Sequence, residues 1–222
     1  MDRARRDWLR RALLAGVSMP LLLRDALAAS KRASGMIAVE GAVLINGAAA
    51  STGARVKPGD SVRTAAGAAA VFVIGQDAFL LREMSELQTS GRGALAASMR
   101  LLTGKLLSVF DRGRRNISTP TATIGIRGTG VYIETEVRRT YVCTCYGEVD
   151  LQASNMPSAR ETVRTVHHDA PRYVYAEGEK AIEMIKAAPV INHSDAELIM
   201  LEALVGRQPP FAGSGMYKDY KE

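Results

Sequence analysis

Only two cysteines and three histidines occur among the 222 residues of this chain, and the catalytic signatures such residues often serve are missing. There is no H-E-x-x-H, which excludes a zincin-type helix, and no G-x-S-x-G, which excludes a nucleophile elbow; no paired-carboxylate pattern is present either. C-x-x-C and zinc-finger spacings are also absent. Long apolar runs are lacking too: twelve residues separate Arg11 from Arg24, whereas a membrane-spanning helix needs about 20. No later segment approaches that length, and extended 3.6-residue periodicity is missing, which argues against a helical fold.

What the N-terminus does contain is "RARRDWLRRALLAGVSMPLLLRDALAAS". A basic head, an apolar stretch from Ala12 to Leu23, and Ala26 and Ala28 in A-x-A spacing make a secretory signal layout over residues 1–28. Arg5-Arg6 followed by Asp7, Trp8, Leu9 and Arg10 resembles the twin-arginine export pattern, departing from it at Ala4, Trp8 and Arg10. The expectation is a periplasmic protein that is not integral to the membrane once processed. Residues 1–28 carry six arginines and three aspartates, so their removal lowers the formal charge from +6 to +3. Nucleic-acid binding is therefore not expected. "DRGRRN", residues 111–116, reads first as a solvated loop and second as an anion-binding patch.

From Met36 onward short apolar runs alternate with turn signals every eight to twelve residues, the pattern of an all-β sandwich or barrel. Asn46-Gly47 marks a hairpin, because both residues tolerate positive φ. Pro58-Gly59-Asp60 suits a type II turn. "MRLLTGKLLSVF", residues 99–110, reads as a further meander with Gly104-Lys105 at its middle, and Arg138-Arg139 as a turn. Ser154 to Glu161 is loop-like in composition, and "VRTVHHDAPRYVYA" reads as one more strand. A single helix is expected near 195–205, with Ser194 as N-cap, Glu197 completing a capping box and Gly206 as the stop. Its residues Leu198, Ile199, Met200, Leu201, Leu204 and Val205 leave little polar face, so it packs on the β domain or on a second copy in a homodimer. The expected organisation is a β domain over 36–152 and a C-terminal extension over 153–222.

The stretch "TATIGIRGTG", residues 121–130, poses a choice between a phosphate cradle and a bent strand. A dinucleotide loop follows G-x-G-x-x-G and opens a helix, whereas Gly125, Gly128 and Gly130 are spaced differently and are followed by the strand-like "VYIETEV". Without a helix N-terminus an anion has no dipole to meet. A strand bent at glycines, with Arg127 reaching carbonyls or a carboxylate, is the better reading. "TPTATIGIRGTGVYIE", together with "GDSVRTAAGAAAVFVI" upstream and "YGEVDL" downstream, resembles the FecR domain, the extracytoplasmic β-rich module of iron-uptake signalling proteins. The resemblance covers about Gly59 to Gln152. It implies a single FecR-like β-sandwich or roll of short antiparallel strands, with Gly125, Arg127, Gly128 and Gly130 as a structural signature and no catalytic residues. The family's full regulators place a sigma-handling segment and a membrane helix ahead of this module. Here a signal-like segment stands there, so direct sigma-factor control is not implied.

Both cysteines, Cys143 and Cys145, and all three histidines, His167, His168 and His193, fall in the C-terminal half. In an extended strand Tyr141, Cys143, Cys145, Val149 and Leu151 share one face. Two same-facing thiols with one or two imidazoles are a tetrahedral donor set for Zn²⁺ or another transition-metal ion. His167 and His168 would point to opposite faces of a strand, so one of them binds. His193 supplies the fourth ligand, and Asp169 or Asp195 orients an imidazole. Two further readings stand open: a disulfide or redox pair, and thiols buried as small apolar groups. The function expected is a non-enzymatic ligand-binding or sensing module whose partner is an unidentified ligand or envelope protein. The alternative is a periplasmic metalloenzyme or redox protein using the same cluster.

Overall fold

Residues 34–92 and 95–212 are described by the computed structural model; the signal-like segment lies outside them. Short strands open the chain: β1 (Gly35–Glu40), β2 (Val43–Ile45), β3 (Ala48–Ala49), β4 (Ser61–Thr64), β5 (Ala69–Ile74), β6 (Asp77–Leu81) and β7 (Glu86–Arg92). β2 and β3 form the expected hairpin, with Asn46 and Gly47 at φ 52° and 83°. Gly59 takes φ 102° in the Pro58-Gly59 turn, which the Asp60 N–H closes onto the Lys57 carbonyl at 3.1 Å.

Three long strands, β8 (Leu95–Val109), β10 (Ala122–Thr135) and β11 (Arg139–Ala153), then carry the architecture, with β9 (Arg114–Ser118), β12 (Met156–Thr165), β13 (Arg172–Tyr175) and β14 (Ile185–Ala187) around them. Each long strand changes partners along its length. The first part of β8 pairs with β7 and, in parallel, with β9; its second part pairs with β6 and β10. The start of β10 pairs with β9, and β11 passes from β13 to β12. One connected sheet thus folds over itself as a sandwich-like roll.

The bends are where side chains change face. Met99 and Leu101 in β8, Ile124 and Ile126 in β10, and Val149 and Leu151 in β11 line the main core together with Leu106, Val131, Ile133 and Val142. Odd and even positions exchange roles within each strand, and the exchange falls at Gly104, Gly128 and Gly147, whose φ values are 87°, 60° and 90°. A left-handed residue inserted in a strand shifts its alternation and bends it. Residues 99–109 are therefore part of one bent strand, and the expected meander over 99–110 is not formed. For the same reason Val149 and Leu151 do not share a face with Tyr141, Cys143 and Cys145. Those three join a second apolar cluster on the outer side of the sheet, with Val71, Leu80, Leu107, Val109 and Tyr132.

Helix α2 (Asp195–Leu204) covers that outer cluster with Leu198, Met200, Leu201 and Leu204, all buried within the single chain. The capping box forms as expected: the Glu197 N–H donates to Ser194 Oγ at 3.4 Å, and the Ser194 N–H to the Glu197 carboxylate at 2.9 Å. Gly206, φ 79°, ends the helix. A short helix α1 (Ala181–Met184) and strand β14 were not foreseen. Further segments depart from expectation. Ser154-Asn155 is only a tight turn before β12, and residues 166–171 form a loop between β12 and β13. In the basic stretch Arg115 is buried, not solvated, its Nε 2.8 Å from Asp77 Oδ2. β9 turns this side chain inward, where Asp77 also accepts the Asp111 N–H at 2.9 Å.

Candidate metal centre

Cys143 and Cys145 emerge from β11 on the face beneath α2. The loop after β12 brings the histidines to them. Asp169 accepts the N–H groups of Val166 at 2.9 Å and His167 at 3.2 Å, which coils the chain, and His168 takes a left-handed φ of 53°. The His168 N–H then bonds the Cys145 carbonyl at 3.0 Å, fastening the loop to β11. Because this is a coiled loop and not a strand, His167 and His168 do not diverge. Both Nε2 atoms reach Asp195 Oδ1, at 2.8 and 3.1 Å.

The donor atoms of Cys143, Cys145, His168 and His193 all lie within 4.8 Å of one another, and all four residues are buried. Cys143 Sγ is 3.4 Å from His168 Nδ1, and His168 Nδ1 is 3.0 Å from His193 Nε2. With Zn–S near 2.3 Å and Zn–N near 2.0 Å, the edges of a tetrahedral site run from about 3.3 Å between nitrogens to about 3.8 Å between sulfurs. The cluster is thus already close to the size of a tetrahedral ion site. Two hydrogen bonds aim the imidazoles. A carbonyl can only accept, so His193 Nδ1, 2.6 Å from the Ile191 oxygen, carries the proton and its Nε2 presents a lone pair. His168 donates Nε2–H to Asp195, which turns its Nδ1 lone pair toward the same point. Two lone pairs 3.0 Å apart repel unless a proton or a cation stands between them.

The electrostatics agree. Burial raises a thiol, but at Cys143 the hydrogen bonds of Cys145, His168 and His193 outweigh it and hold the group well below its ordinary value. Burial, the bond to Cys143 and the charges of Cys143 and Asp195 push Cys145 well above. Burial opposes a charge on His168, yet its bonds to Asp195 and Cys143 raise it to about 9. Both shifts favour positive charge beside Cys143. The surrounding shell is aromatic: Tyr132 stacks on His193 with centroids 4.5 Å apart, and Phe211 lies 4.4 Å from His167.

Of the five residues singled out from sequence, four converge and His167 stands behind them on Asp195. Asp195, and not Asp169, orients His168, while Asp169 shapes the loop. The Ile191 carbonyl, Tyr132 and Phe211 left no sequence signal, since backbone groups and lone aromatics carry no motif. The glycine stretch is continuous strand: β10 runs through Gly130 to Thr135, so no helix N-terminus is available to a phosphate. Arg127 meets two carboxylates across the sheet, Glu148 at 3.3 Å and Asp150 at 2.8 Å. Gly130 faces the ring of Tyr146, whose Cε1 lies 2.4 Å from where a Cβ would stand, and Tyr146 hydrogen-bonds Glu202 of α2.

No family model matches the chain, and no curated protein matches it. Two crystal structures, at 1.65 and 2.50 Å resolution, of a candidate anti-sigma factor from Parabacteroides distasonis ATCC 8503 are similar to it at 11% identity and a TM-score of 0.47. The similarity covers 58% of this chain and 58% of that one, too loose a likeness to carry a functional argument.

Proposed function

We propose that this chain is an exported, non-enzymatic β module of FecR type that binds or senses a ligand in the periplasm, and that it holds a transition-metal ion, Zn²⁺ foremost, on Cys143, Cys145, His168 and His193. One observation carries the metal reading: two sulfurs and two imidazole nitrogens, all buried, converge within 4.8 Å with both rings aimed by second hydrogen bonds. Four protein donors fill a tetrahedron, which is the closed form of a structural site. A catalytic metal keeps one position open, so the closed set favours a binding module over the metalloenzyme alternative. The signature around Gly125, Arg127, Gly128 and Gly130 supports the FecR-type reading, and the twin-arginine pattern supports export after folding, a route compatible with an ion inserted beforehand.

Elemental analysis of protein recovered from the periplasmic fraction tests both parts. The expected result is one ion per chain, lost in Cys143→Ser, in a product cleaved near residue 28. Absence of stoichiometric metal refutes the ion, and an uncleaved cytosolic product refutes export.

A further inference from the structure

The four donors are divided between the sheet and the segment that covers it. Cys143 and Cys145 belong to β11, and His168 to a loop fastened to β11. His193 alone among them comes from the C-terminal segment, immediately before the N-cap of α2. Asp195, in the first turn of α2, reaches back to His167 and His168. Elsewhere this segment is held by side chains. Tyr141 donates to the Pro189 carbonyl at 2.9 Å, Asn192 to Glu134 at 2.7 Å, Arg82 to Glu197 at 2.7 Å, and Tyr146 to Glu202. Among the described residues 189–212, ladder-type backbone pairing is confined to one isolated bridge, at Ser194. A segment docked by side chains and a single bridge opens at lower cost than the continuously paired sheet it lies on.

Resting on the ion proposed above, we infer that the metal is the latch of this segment, so that metal loading governs how often α2 leaves the sheet. The closed form offers four donors and the open form three, since His193 departs with the segment. An ion that binds the closed form more tightly must favour it by the ratio of the two affinities. Removing the ion leaves the side-chain ties in place but withdraws the metal bonds that would join His193 to Cys143, Cys145 and His168. Opening uncovers the apolar outer face formed by Val71, Leu80, Leu107, Val109 and Tyr132. The site is then a sensor in a physical sense: occupancy by a soft divalent cation decides whether that face is presented.

The experiment is hydrogen exchange on the purified protein, loaded with Zn²⁺ or stripped by a chelator, with metal content counted in the same samples. Amides of α2 should exchange at least about tenfold more slowly when loaded, while those of β4 and β7, on the far part of the sheet, change by less than about twofold. His193→Ala, which retains three donors, should bind the ion and lose the selective protection of α2. If one ion binds per chain and α2 is protected no more than β4 and β7, the latch is refuted while the metal centre stands. If no ion binds, the proposed centre fails and the latch fails with it.

Discussion

The three glycines of the central signature should respond differently to alanine, and the difference tests why they are there. At Gly130 an added Cβ would stand 2.4 Å from Tyr146 Cε1 and 2.7 Å from its Cζ. An ordinary carbon contact is about 3.5–4.0 Å, so the ring must retreat by about 1 Å or more. It has little room, being only 4% exposed, and its hydroxyl is tied to Glu202, which Arg207 holds at 2.6 Å. Overpacking costs about 1–3 kcal/mol, and weakening a hydrogen bond to a charged group adds about 1 kcal/mol, for a total of about 2–4 kcal/mol. At Gly128 the nearest atom would be 3.7 Å away but φ is 60°, so Gly128→Ala costs only the left-handed backbone penalty, about 1–2 kcal/mol. At Gly125 the nearest atom is the Asp150 Cβ at 3.5 Å and φ is not positive, so Gly125→Ala changes stability by less than about 0.5 kcal/mol in either direction. Urea unfolding of the three variants reads these directly, and for a chain of this size each kcal/mol lowers Tm by about 2–4 °C. In a Tyr146→Ala background the cost of Gly130→Ala should shrink by at least about 1 kcal/mol, because the obstructing ring is gone. A Gly130 variant as stable as the Gly125 variant, or costs that simply add with Tyr146→Ala, would falsify the claim that close approach explains this glycine.

Other outcomes follow from the same geometry. Arg115→Ala strands the buried Asp77 carboxylate and should cost about 3–5 kcal/mol in urea unfolding, while the Asp77→Asn, Arg115→Met double variant should lose clearly less. Equal losses would mean the pair is not acting as a pair. Arg127→Ala removes ion pairs from a side chain that is half exposed and should cost under about 1 kcal/mol; a larger loss would assign Arg127 a role beyond its two carboxylates. Asp195→Asn frees the His168 ring and should weaken Zn²⁺ binding by about 10–100-fold in a chelator competition, and unchanged affinity would show that Asp195 does not aim the ligand. The Thr162 hydroxyl is the main cause holding the Asp150 carboxyl below its ordinary value; burial opposes it, and Arg127 adds to the lowering. Its folded value is the lower one, so its stabilisation is present above the unfolded value and is lost as pH falls through the folded one. Carboxyl NMR titration should show the Asp150 midpoint rise in Thr162→Ala, and an unmoved midpoint would contradict this account.

Local chemistry was legible wherever one residue type dictates one conformation. Asn46-Gly47, Pro58-Gly59 and the Ser194 to Glu197 capping box were readable because turns and caps depend on neighbours only a few residues away. Alternating apolar runs announced a β fold, since burial on one sheet face needs a period of two. The donors Cys143, Cys145 and His193 were recognisable as residue types of the right chemistry.

Tertiary structure decided the rest. Whether Gly104 turned a hairpin or bent one strand depended on which partners β8 found, and that choice put Cys143 beneath a helix and Val149 inside the sandwich. His168 joined Cys143, Cys145 and His193, and His167 became its neighbour on Asp195, because residues 166–171 coil as a loop instead of running extended. Sequence by itself determined the alternation of polarity, the turns at Asn46-Gly47 and Pro58-Gly59, the helix cap and the types of the donor residues. Convergence of those residues came from one strand, a loop and the segment ahead of a helix, up to fifty residues apart from Cys143 to His193, being packed on one face, since a tetrahedral arrangement is a property of distances in space and no spacing along a chain encodes them.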